Sequence, residues 1–394
     1  MKREHAIALG LAACLYGGLA AQNQPGSAAV DKPAPRPDPG RPYVYTQWEH
    51  FTKADGLPNE HIFAVKVAGD QVWVGTENGL ARYDKRTGAW RSWTEADGLP
   101  WRVVSGIDVH PKTGEVWIGL FGGGLARYSA GRFDHFHQLN SGLVNDVVYG
   151  VAVEHDNIWV ATTAGASRYD TIGDKWSIYT EKNAPMEEIW NYGVCYNDGL
   201  VHLGVWGSGV LEFDVATGRW KDYLDPDREM EIDLYRDDGI IHVITTGVSY
   251  VEKTLWVSTY FGVCRYDGRH WRGWYAHESG LPSDFNNFVK GRSAREAWYC
   301  TDKGVGALMD FDTDTWVTYT TDGAEHAGQA VIQRGETPVA TIETGYNLSH
   351  NYALAVDFDG NDVWIGTSKG LCRGVGTGYY SGLRPSSGAA LVKQ

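Results

Sequence analysis

Four carboxylates and two imidazoles recur at one kind of place in this chain, the polar stretch just ahead of a short apolar run. Glu60 in "PNEHIFAVKV", Asp146 in "VNDVVYGVAV", Glu188 in "MEEIWNYGV" and Asp284 in "PSDFNNFVKG" supply the acids, and His242 in "IHVITTGV" and His350 in "SHNYALAV" the imidazoles. Arg102, after Trp101, stands at the matching place. Two carboxylates facing each other across a cleft are what a glycoside hydrolase needs, and a lyase uses a similar acid and base pair. The same oxygen and nitrogen donors could hold a cation or grip a polar ligand. They are equally what solvated turns contain, so the elements that carry them must decide.

Those elements are repeats. A run ending in "VWVGT" (72 to 76) returns as "VWIGL", "IWVAT", "VHLGV", "LWVST", "AWYCT" and "VWIGT", which makes seven copies. A run bearing an aromatic pair also occurs seven times, from "WEHF" at Trp48 to "WVTY" at Trp316. Trp73, Trp117 and Trp159 stand 44 and 42 residues apart, a period that fits four short strands separated by Gly, Asn and Asp turns. Four strands at that period make a propeller blade. The first aromatic-pair run precedes every "VWVGT", and none follows the last. An all-β, seven-bladed propeller of four-stranded blades follows, closed by an N-terminal strand that completes the C-terminal blade. The propeller is expected over 43–378, with insertions near 224–243 and 321–348; "QAVIQRGETPVATIE" in the second reads as a β-hairpin.

Most of the 17 tryptophans belong to the repeat and read as packing between sheets. Trp101, Trp190 and Trp206 do not. The first two follow the turn that links one blade to the next, and Trp206 lies in the turn between second and third strands. Phe121, Tyr260 and Phe261 occupy the place of Trp206 in other blades. Both kinds of turn open on one face, so six large rings share it and form a candidate recognition surface. The carboxylates, His242, His350 and Arg102 would ring the central opening on the same face.

The anchors "GLP", "VWVGT" and "GLARYD", best developed over Gly56 to Asp84 and Ile158 to Asp170, resemble the two-component regulator propeller repeat. The resemblance implies a propeller of the kind that serves as a periplasmic sensor. No kinase segment lies in this chain, so the implied role is that of a free-standing exported module. Where "VHLGV" puts His202 for the tryptophan, and where "GVGALMD" lacks the Arg-Tyr pair, the pattern departs from the family's.

Composition narrows the partners. Lys plus Arg total 35 against 49 Asp plus Glu, a net charge of −14, and no basic cluster interrupts it, which excludes nucleic acid. Residues 1–21, with Met1-Lys2-Arg3 ahead of an apolar stretch ending in "GLAAQ", read as a signal peptide; "LAAC" (Leu11 to Cys14) also fits the motif before a lipidated cysteine, which would anchor the protein through Cys14. Residues 22–42 are a Pro/Gly-rich tether and 379–394 a flexible tail. No later run is long enough to span a membrane. Cys195, Cys264, Cys300 and Cys372 show neither CxxC nor zinc spacing, and no nucleophile or phosphate-loop motif occurs. The expectation is an exported, periplasmic or extracellular, non-enzymatic binding module for a partner protein or an extracellular glycan or small ligand. No cofactor is expected, although a cation could sit at the channel mouth, and a propeller lyase or glycoside hydrolase is the alternative.

Overall fold

The computed structural model describes residues 44–224, 238–323 and 327–377. The signal peptide with Cys14, the tether and the tail lie outside the described residues, as do 225–237 of the first insertion. Seven antiparallel sheets form, each running from an inner strand outward; the second strand of a blade is buried almost throughout, as in Gln71–Thr76, and an outer strand such as Ala89–Trp93 alternates between exposed and half-buried up to the buried Trp93. Blades one to five take their strands in sequence order, beginning at Ile62, Val104, Val148, Asn191 and Thr245. Blade six begins at Asn286, and blade seven joins Ala353–Asp359, Asp362–Thr367 and Gly370–Gly374 to Trp48–Phe51. The N-terminal strand closes the ring: Trp48 pairs with Gly374 and Phe51 with Leu371, and the Glu49 carboxylate meets Arg373 at 2.9 Å.

The repeated tryptophans form the seams. Trp73, Trp117, Trp159, Trp256, Trp298 and Trp364 are buried between neighbouring sheets. In four blades an arginine from the adjacent "GLARYD" strand lies over the indole at 5.4–5.8 Å, because the antiparallel register sets it directly opposite. Blade four breaks the rule at both positions, where His202 faces Glu212.

The second insertion forms the expected hairpin, Ala327–Arg334 with Thr337–Gly345. It does not reach over the face of the ring. Ala327–Arg334 pairs along Thr315–Asp322 and widens blade six sideways to six strands, so this insertion extends the outer rim and not the binding face. Main-chain pairing with an unprotected edge and the burial of Ala330 and Ile332 hold it there.

Each inner strand carries a bulge at the same point. Register shifts fall between Ile62 and Ala64, Val104 and Gly106, Val148 and Gly150, Asn191 and Gly193, Thr245 and Gly247, Asn286 and Phe288, and Ala353 and Ala355. A bulge re-aims its extra residue. Here that residue is Phe63, Ser105, Tyr149, Tyr192, Thr246, Asn287 or Leu354, and all of them but Leu354 are polar or aromatic. Glycine follows in four blades: a Cβ on Gly106 would stand 3.2 Å from the Gly150 Cα, so small residues let the inner strands converge.

Candidate functional site

The inner strands enclose a cavity of about 640 Å³ along the axis of the ring. Its two ends differ chemically. At the end nearer the strand starts, Phe63, Phe121, Tyr149, Tyr192, Tyr260, Phe285 and Tyr352 line it. Toward the other end the lining includes Lys66, Asp108, Cys195, Ser249 and Lys290.

The aromatic end is continuous from throat to rim. Ring centroids are 5.3 Å apart for Phe121 and Tyr149, 4.8 Å for Tyr149 and Tyr192, and 5.5 Å for Trp190 and Tyr192. Trp206 stacks on Trp190 at 5.6 Å and meets Tyr260 edge-on at 5.3 Å; Tyr260 lies 4.8 Å from Phe285. Such offset and edge-to-face contacts hold the rings in place and give the throat a preformed shape. Tyr192 and Tyr260 hydroxyls approach to 3.5 Å. Burial pushes the Tyr149, Tyr192 and Tyr352 phenols upward, so they remain protonated and can donate hydrogen bonds.

The charged end is a clasp. Lys66 reaches Asp108 at 2.6 Å and Lys290 reaches Asp357 at 3.6 Å. Asp108 also accepts the Val153 N–H at 2.7 Å, Asp357 that of Val67 at 2.8 Å, and Ser249 that of Gly291 at 3.0 Å, each from the next blade. The Asp108 charge pushes the Lys66 ammonium upward against the opposing effect of burial, so Lys66 stays charged. Asp108→Ala would leave an ammonium and a backbone N–H short of a partner. We expect a loss of about 1–2 kcal/mol in urea unfolding, and an unchanged midpoint would show that the clasp is idle.

The ring of acids and imidazoles is not gathered at the cavity. Glu60, Asp146 and Asp284 accept backbone N–H groups of Lys53, Gln138 and Ala276 at 3.3, 2.8 and 2.6 Å, holding the crossover that leads into each blade. His242 and His350 receive the N–H two residues on, at 3.1 and 2.9 Å, which makes them turn caps. Burial pushes both imidazoles downward in pKa. Glu188 and Arg102 are exposed, and none of these seven lines the cavity. Among the described residues no three His, Cys, Asp or Glu are grouped to hold a metal. Cys195, Cys264, Cys300 and Cys372 are present as thiols; Cys264 and Cys372 accept the N–H of Ile241 and Ser349.

The six aromatic candidates divide. Phe121, Trp190, Trp206 and Tyr260 belong to the throat cluster. Phe261 turns instead toward Tyr275, at 5.7 Å. Trp101 lies flat on its own blade's turn, its Nε1 donating to the Phe121 carbonyl at 2.8 Å over Gly123, where a Cβ would fall 2.2 Å from the Trp101 Cβ. Tyr149, Tyr192, Phe285, Phe63 and Tyr352 were not expected at the site. Tyr149, Tyr192 and Phe63 are the bulge residues, and Phe285 and Tyr352 stand two places before that position.

No protein-family model and no curated protein sequence matches the chain. Among solved structures, the extracellular domain of the putative hybrid two component system BT3049 from B. thetaiotaomicron is similar at 16% identity and a TM-score of 0.62, covering 84% of this chain and 42% of that one. The corresponding domain of BT4673 gives 13% and 0.62 over 84% of this chain and 40% of its own. The computationally designed Ika8 protein gives 12% and 0.52 over 80% and 95%. This chain therefore spans about two fifths of the length of the two bacterial structures. The likeness is one of fold, the seven-bladed propeller that the repeat anchors imply. Among the described residues no helix is long and apolar enough to cross a membrane.

Proposed function

We propose that the protein is an exported, non-catalytic binding module that holds an extracellular ligand in the aromatic throat. The observation that carries this reading is the run of touching rings from Trp206 and Trp190 at the rim to Tyr192 and Tyr149 in the cavity. A recess of about 640 Å³ is the size of a small-ligand site and is not the broad flat patch of a protein interface. Stacked rings with phenol donors suit a ligand bearing ring-sized apolar faces and hydroxyl or carbonyl groups, as a saccharide or a hydroxylated aromatic does. The extracellular setting of the two bacterial relatives in fold and the N-terminal signal pattern support export. The lyase or hydrolase reading draws nothing from Glu60, Asp146 and Asp284, which are engaged with backbone.

The test is calorimetric titration with extracellular oligosaccharides and phenolic glycosides. The ligand that binds should lose tenfold or more in affinity, about 1.4 kcal/mol, in Tyr192→Ala with Tyr260→Ala. Trp101→Ala, off the cavity, should bind as wild type. Equal binding by the tyrosine variant would move the site elsewhere.

A further inference from the structure

The hairpin leaves blade six with an outer edge unlike the others. Five of the six remaining outer strands carry Arg or Lys: Arg91, Arg132, Lys175, Arg219 with Lys221, and Arg272. The sixth carries Glu49. Such charges discourage edge-to-edge pairing, since a second strand would have to desolvate them. Thr337–Gly345, "TPVATIETG", is at nine residues the longest strand among the described residues, and its one charge is Glu343.

Its inward face is unfinished. Val317, Ile332 and Ala340 form one cross-strand row, and Tyr319, Ala330 and Ile342 the next. The first two members of each row are buried, while Ala340 and Ile342 remain half-buried at the end. A further strand in register would cover them.

We infer that this edge pairs with the same edge of a second copy of the chain, antiparallel and centred on Thr341. The strand is self-complementary in that register. Ala340 falls opposite Ile342, so a small residue meets a large one in both symmetry-related places and the two apolar rows continue across the junction. Thr341 meets Thr341, a pair that suits facing strands. Glu343 meets Val339 and stands about 13 Å from its own copy, four strand residues away. A pairing centred on Ile342 would instead put Glu343 against Thr341, bringing the two carboxylates closer. A two-fold contact of this kind is isologous and closes at two chains. Pro338 and the bulge at Val339 keep it short, so the association is weak. Each copy carries a net charge of −14, so salt should strengthen it by screening the repulsion between chains, the opposite of what an ion-paired interface does.

The test uses the full chain with Cys14→Ser, so that the remaining thiols are the three buried ones and Cys195 inside the ring. Sedimentation equilibrium should show a dimer that grows with protein concentration and with salt. Under mild oxidation Thr341→Cys should give a covalent dimer, because directly opposite Cβ atoms lie about 4.5–5.5 Å apart. Glu343→Cys alone should not, whereas Glu343→Cys mixed with Val339→Cys should. Thr341→Lys, on the solvent face, should abolish the dimer while leaving circular dichroism and thermal midpoint unchanged. A monomer at every concentration overturns the inference. Cross-linking of Glu343→Cys alone as efficient as that of Thr341→Cys overturns it too, as does undiminished association of Thr341→Lys.

Discussion

Trp256→Ala should destabilise the protein by about 3–5 kcal/mol, the range for a large ring removed from a packed interior. The indole is fully buried between blades five and six, among Val263, Trp274, Leu281 and Val289. Its Nε1 donates to the Ser293 carbonyl of the next blade at 3.0 Å, and Arg265 covers one face at 5.5 Å. Truncation therefore removes packing, a cross-blade hydrogen bond and one of the rings packed on a buried cation at once. Trp206→Ala makes the informative contrast. Trp206 is half-exposed and touches Trp190, Tyr192 and Tyr260 only at the throat. Its loss should cost about 1 kcal/mol or less. Urea unfolding of both variants checks the distinction between seam and site, and comparable losses would erase it.

That distinction is legible in the sequence alone, for a physical reason. A residue repeated at one place in every blade answers a demand the blades share, which is packing between sheets. Trp73 and its counterparts fulfil it, and the orphan "WEHF" ahead of the first blade could be matched with the strand missing from the last. The hairpin "QAVIQRGETPVATIE" was legible as a hairpin because alternation reports local pairing. Its docking was not, because the same alternation fits a strand added to any free edge.

The site was half legible. Trp190, Trp206 and Tyr260 stood out as departures from the repeat. The polar residues beside them misled, because acids and imidazoles at a turn have nearby N–H groups to cap, and Asp146 and His350 do so. Three or four positions beyond Asp146 and Glu188, Tyr149 and Tyr192 enter the cavity because a bulge interrupts the two-residue period that assigns strand residues to faces. Without the bulge, alternation cannot be carried across that point. A usable signal was present, however: Phe63, Ser105, Tyr149, Tyr192, Thr246, Asn287 and Leu354 share one place and have no common character, unlike the apolar positions around them.

Blade four carries the second large effect, because there the shared tryptophan and arginine are replaced together. His202 is fully buried, its Nε2 is 3.1 Å from the Glu212 carboxylate, and the Tyr223 hydroxyl donates to that carboxylate at 2.8 Å. Tyr250 packs at 4.7 Å on the imidazole, and Lys221 meets the Tyr223 hydroxyl at 3.0 Å. Among the described residues nothing pairs with the His202 Nδ1. A neutral imidazole donating from Nε2 tolerates that bare nitrogen as an unused acceptor, whereas a protonated one would bury an N–H without a partner. Burial accordingly holds the His202 pKa below its ordinary 6.5, and the bond from His202 holds Glu212 below 4.5. Glu212→Ala strips the network of its acceptor and should cost about 2–3 kcal/mol near neutral pH.

The pH dependence follows with one sign. Below about 6.5 the unfolded chain protonates His202 and the folded chain does not, so stability falls with pH from there downward. Glu212 adds a further loss in the same direction as pH drops through its unfolded value near 4.5. Each unit by which either group is displaced corresponds to about 1.4 kcal/mol. His202→Trp with Glu212→Arg restores the pair used in five other blades, and the corresponding place of the preceding seam holds Trp159 in a cluster against which Tyr196 packs, so an indole is accommodated near a tyrosine there. His242 and His350 also have lowered values, so wild type and variant must be compared with both left intact. The double variant should lose less stability than wild type between pH 7.5 and 5, measured by urea unfolding at each pH. Parallel curves would mean that the acid sensitivity of the ring lies outside blade four.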